Sequence, residues 1–156
     1  MKRKLSILAV CAVVLAAGSL ALAQDNPFVG TWKMNVAASK FEPGPPPQSQ
    51  SRTWNADGSV NITGVNAAGK TAGYGYTING DGKEYPVSGS IPNGSDKISS
   101  KKVGANKMTA SFTKAGKVVE STTFTVSKDG KTLEIVAKGI LPDGKTLNND
   151  TKWDKQ

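Results

Sequence analysis

The chain has no histidine, and its one cysteine, Cys11, lies in an apolar run close to the start. Without imidazole, histidine-based triads are excluded. Once the apolar run is read as a leader, no thiol is left for nucleophilic catalysis or an ordinary zinc site. A disulfide framework is excluded too. Beyond the leader Arg52 is the only arginine, and the aromatics number ten in all, three Trp, three Tyr and four Phe. Nucleic-acid binding, which calls for concentrated arginine with interleaved aromatics, is not expected. Sustained helical periodicity is also missing. Most acidic residues, Asp57, Asp81, Asp96, Asp129 and Asp143 among them, stand in turns, where their job is to shape the backbone. Two-carboxylate hydrolysis is formally open with Asp and Glu. "NGDGKE" lacks the later acidic positions of a calcium loop. No enzymatic activity, metal or cofactor is expected.

The opening reads as a secretion signal. Met1–Lys4 is a positive start, an apolar stretch follows, and Ala21-Leu22-Ala23 forms an A-x-A cleavage signal before Gln24. A retained anchor would want a charged stop-transfer cluster, and none follows, so no stable membrane insertion is expected after cleavage. Cleavage after Ala23 would leave residues 24–156 as a single domain, secreted or periplasmic, and a monomer. It removes Lys2, Arg3 and Lys4, which takes the 20 basic residues to 17 against 12 acidic. These remaining charges are dispersed along the chain, the pattern of a solvated surface.

What the sequence does contain is a regular series of turns. "ADGS", "NAAGK", "NGDGK", "PNGSD", "GANK", "KAGK", "KDGK" and "PDGK" place glycines at 58, 69, 82, 94, 104, 116, 130 and 144. Asn-Gly and Asp-Gly suit hairpin turns, which need positive φ. Between them run segments rich in Thr, Val, Ile and aromatics that alternate in polarity, the period of a half-buried strand. In "KMTASFTK", Met108, Ala110 and Phe112 share one face; in "TLEIVAK", Leu133, Ile135 and Ala137 do. The pattern predicts ten strands, at about 30–36, 48–56, 59–65, 70–78, 83–88, 96–103, 107–114, 117–127, 131–139 and 145–154. The units share turn chemistry but no internal consensus, which favours a meander over a solenoid. "FEPGPPPQSQ" lacks donors and has fixed φ, so it predicts an extended connection between the first two strands.

A sequential antiparallel meander has two exposed edges unless it closes. The expected fold is therefore all-β, an up-and-down barrel of eight to ten strands. Eight strands already leave an interior that side chains fill or that holds one small ligand, and ten leave more.

The stretch "NPFVGTWKMNVAASKF" resembles the opening of the calycin group, the lipocalins and fatty-acid-binding proteins, whose first strand carries G-x-W; Gly30, Thr31 and Trp32 are the matching residues. "GTWKMN" is also similar to the start of small exported bacterial lipocalin-like proteins. The resemblance implies that Trp32 plugs one end of the barrel and that Gly30 permits close approach there. Lipocalins place an arginine late in the last strands, against that tryptophan; this chain has Lys152 and Trp153 in that region. The place of the fatty-acid-binding proteins' helical lid is taken by "PGPPP".

Within such a barrel the candidate ligand-binding residues are Arg52, Trp54, Tyr74, Tyr76, Met108, Phe112, Phe124, Leu133 and Ile135. Arg52 is the polar anchor if it faces inward; facing outward, its stem would cover Trp54. Tyr74 and Tyr76 offer hydroxyls if they face inward; otherwise the intervening glycines mark a bend. Glu120 shares a face with Thr122 and Phe124, and a strand-end, wet position is the simpler expectation for it. The expected function is binding of a small apolar or amphipathic ligand. The alternative is a filled, non-catalytic barrel whose surface serves the cell envelope.

Overall fold

A computed structural model describes residues 26–156; the leader, Cys11 and the cleavage point after Ala23 lie outside the described residues. Ten strands follow one another: β1 (Gly30–Lys40), β2 (Ser49–Trp54), β3 (Ser59–Val65), β4 (Thr71–Thr77), β5 (Asp81–Gly89), β6 (Lys97–Lys102), β7 (Lys107–Lys114), β8 (Lys117–Val126), β9 (Thr132–Ile140) and β10 (Thr146–Lys155). Each pairs antiparallel with its sequence neighbours, and β10 returns to β1 to close the barrel. Among the described residues there is no helix.

The turns explain the strand order. Their Asx side chains accept backbone N–H groups, locking the reversal locally. Asp57 Oδ1 accepts from Ser59 N at 2.9 Å, Asn66 Oδ1 from Ala68 N at 3.0 Å, and Asp129 Oδ1 from Lys131 N at 3.1 Å. Gly58 has φ +83°, and a Cβ there would lie 1.8 Å from Asn79 Oδ1, so a side chain at that turn is strained and must displace Asn79.

Closure runs through Trp32 opposite Lys155 and Met34 opposite Trp153. The register then slips between Asn35 and Lys40. There the Ser39 hydroxyl accepts the Lys152 amide at 2.9 Å and donates to Asn35 O at 2.7 Å. β1 therefore runs four residues beyond its expected end, because a polar side chain takes up the ladder bond that the irregularity frees.

In a closed barrel with nothing packed outside, a buried strand residue points inward. Successive inward residues descend from one end to the other: Gln50, Arg52, Trp54 on β2, and Glu120, Thr122, Phe124, Val126 on β8. One end is solid. Trp32, Trp54, Phe28, Val126 and Leu133 are all essentially without solvent exposure there. Trp54 stacks on Phe28 at 4.9 Å between ring centroids.

Candidate ligand cavity

The other half of the barrel is hollow. A cavity of about 490 Å³ opens between the β1–β2 connection and the turns that follow β3, β5 and β9. That volume falls within the ordinary range of small-molecule sites. Its rim is uncharged and carries Phe41, Pro43, Pro45, Pro47, Ile91 and Leu141 among polar residues such as Gln50, Asn66 and Ser90. The proline run has no ladder to join, so it remains an irregular strap over the opening, as its composition predicts.

Six of the nine candidate lining residues meet in this cavity: Arg52, Tyr74, Tyr76, Phe112, Phe124 and Ile135. Trp54, Met108 and Leu133 do not line it. Alternation groups residues by face, but it says nothing of depth. Trp54 is one inward step deeper than Arg52, Leu133 one step deeper than Ile135, and Met108 two steps deeper than Phe112; all three are buried in the solid end. Ala110, on the same face as Phe112, is also buried clear of the cavity.

Gly30 and Trp32 sit at that solid end. The Trp32 indole Nε1 donates to Phe28 O at 2.8 Å. Lys155 Nζ lies 5.0 Å from the Trp32 ring centroid. A Cβ on Gly30 would stand 2.8 Å from the Lys155 side chain, so glycine leaves room for the lysine to cross. The cation over the tryptophan thus comes from Lys155, which nothing in the "DTKW" stretch signals.

Arg52 is the chemical centre of the hollow half. Its side chain is 5% exposed and points inward, which decides between the two orientations its sequence left open. The guanidinium carbon lies 5.2 Å from the Trp153 ring, 5.7 Å from Phe124 and 5.9 Å from Tyr76. Nη1 donates to the Tyr76 hydroxyl, while Nε is buried with no partner. Among the described residues no ion pair includes Arg52. Each cation–π contact is worth about 0.5–2 kcal/mol. Burying an unpaired ion costs several kcal/mol, so these rings and one neutral hydrogen bond offset the cost only in part.

Tyr74 and Tyr76 face inward as well. Burial pushes both phenols above their ordinary value, with Arg52 opposing the rise. Both remain neutral donors at physiological pH. A hydroxyl that accepts from Arg52 can still give its own proton to a ligand oxygen.

Glu120 also lines the cavity, half-buried rather than wet. Its carboxylate accepts from Asn93 Nδ2 at 2.7 Å and from Thr122 Oγ1 at 2.6 Å. Asn93 is buried, and its own side-chain oxygen takes the Ser95 amide at 2.9 Å. The alternation of Glu120 with Thr122 and Phe124 was the available signal. Asn93 had none, because a turn "PNGSD" does not say which wall its side chain will meet. Among the described residues no cluster of acidic side chains could hold a metal ion.

The chain matches no protein-family model and no curated protein.

Proposed function

We propose that the protein is an exported, non-catalytic, lipocalin-like carrier that binds a small amphipathic ligand in the barrel, with an acidic head group against Arg52. One observation carries this reading: a buried guanidinium faces an open cavity with no carboxylate in ion-pair contact, Glu120 of the same wall acting on it only at longer range. A ligand anion would supply the missing counter-charge, and the neutral Tyr76 hydroxyl would add a second donor. The apolar walls and proline rim suit a hydrocarbon or ring system. A filled barrel acting through its surface is the competing reading, favoured by the solid half beneath Arg52.

Titration with 8-anilinonaphthalene-1-sulfonate, an anionic apolar dye, separates the two. Carrier function gives saturable one-to-one binding, weakened about tenfold or more by Arg52→Met, in line with the loss of a charge-assisted contact. Ala137→Trp, on a residue that lines the cavity, abolishes it. Arg52→Met keeps or raises the melting temperature, because a hydrophobe replaces an unpaired buried charge. Absence of saturable binding, or binding indifferent to both substitutions, refutes the carrier.

A further inference from the structure

Resting on that reading of the cavity, we propose that the ligand is a zwitterionic amphiphile: an acid group at Arg52, a protonated amine at Glu120, and an apolar tail leaving through the proline rim.

Among the described residues the cavity wall carries one cation and one anion, Arg52 and Glu120. The chain's many lysines contribute none of that lining. Two opposite charges in a partly dry cavity attract strongly, and a barrel that needed only neutrality would join them. Here they feel each other but form no direct ion pair, and each is tied to its own neutral partners. Arg52 is held by Tyr76 and three rings, Glu120 by Asn93 and Thr122. Both donors to Glu120 are on buried residues, so the carboxylate is fixed in place. Each of its oxygens takes one of these bonds and keeps a lone pair for another donor.

The two poles also differ in depth. Arg52 reaches the layer of Phe124, its guanidinium carbon 5.7 Å from that ring, and Glu120 stands two inward steps nearer the rim on the same strand. A ligand spanning them carries its acid deep and its ammonium several bonds higher. Towards the opening lie Phe41, Pro43, Pro45 and Leu141, interspersed with uncharged polar side chains such as Gln50 and Asn149. A tail attached to the nitrogen would lie there.

N-octyl-6-aminohexanoate and pentadecanoate make the test, since the first is the second with one methylene replaced by an ammonium. Hydrophobicity alone favours pentadecanoate. The proposal expects calorimetric titration of the wild-type protein to show the amino acid bound at least about tenfold more tightly, the scale of a charge-assisted contact. In Glu120→Gln that preference disappears or reverses, because pentadecanoate is relieved of a neighbouring negative charge while the ammonium loses its partner. If wild type binds pentadecanoate as well or better, through Arg52, the zwitterion is wrong and the carrier stands. Equal weakening of both probes in Glu120→Gln makes Glu120 a clamp between the β5–β6 turn and β8, and overturns the proposal. Binding of neither probe overturns the carrier reading along with it. The wild-type comparison decides even if Glu120→Gln fails to fold.

Discussion

At the scale of single residues, Met108 and Leu133, which help close the barrel, carry the same alternation signal as Phe112, Phe124 and Ile135, which line it. What separates them is depth. Trp54 and Arg52 are two residues apart, yet one is sealed against Phe28 and the other faces the hollow. Sequence alternation has a period of two and carries no coordinate along the barrel axis, which is why Met108 and Leu133 were grouped with the cavity. Trp32 shows the energetic side of the same division. It is fully buried, bonded through its indole nitrogen to Phe28 O, and crossed by Lys155. Truncation to alanine leaves a void under the last strand. Trp32→Ala should lose about 3–5 kcal/mol of unfolding free energy, read from urea titrations followed by tyrosine or far-ultraviolet signals. A loss below about 1 kcal/mol would mean that the solid end collapses around the gap.

At the scale of elements, turn chemistry was the most legible feature. The glycine-bearing turns, five of the eight with Asx-Gly, mark the reversals after β2, and all ten strands lie close to their expected spans. The seam is the exception: β1 continues to Lys40 because Ser39 takes the Lys152 amide, a tertiary bond with no local signature. Glycine inside a strand is less easily read. Gly139 on β9 stands opposite Glu120 on β8, and a Cβ there would come within 2.1 Å of Val119 O and 2.8 Å of the Glu120 Cα. These are main-chain atoms, so the two strands must part. Gly139→Ala should cost about 1–3 kcal/mol, the range for forcing atoms into a close-packed contact. At Gly104, where the nearest side-chain atom would be 3.6 Å away, the same change should stay within about 0.5 kcal/mol. Parallel chemical denaturation of the two variants checks the contrast.

At the scale of the whole molecule, the missing histidine has a consequence for stability. No side chain has an ordinary titration between about pH 5 and 8 in this composition. The groups with lowered values are carboxylates in turns. Asp57 is lowered by the Ser59 hydroxyl, Asp81 by the Tyr85 hydroxyl, Asp129 by the Ser127 hydroxyl and Asp143 by the Lys145 ammonium. A carboxylate held below its unfolded value stabilises the fold above that value and loses the contribution as pH falls through the folded one. All four are solvent-exposed, so each contribution is small. Thermal melts should therefore be level from pH 5 to 8 and decline only below about pH 4. A transition centred near neutrality would contradict this. The barrel itself was legible because a meander with regular turns has one economical way to hide its edges. That its interior is solid at one end and hollow at the other was not, since residue size does not track depth: on β7 the small Ala110 lies between Met108 at the solid end and Phe112 at the cavity.

The seam between the first and last strands also sets how the molecule can be held. Gln156 N donates to Thr31 O at 2.9 Å, so the beginning of β1 and the end of β10 emerge side by side on the base of the barrel, opposite its opening. Anything grafted at residue 26 or 156, whether an affinity tag, a fluorophore or a solid support, would extend from the base. Immobilised that way, the molecule stands like a cup on a shelf, its opening free to fill and empty.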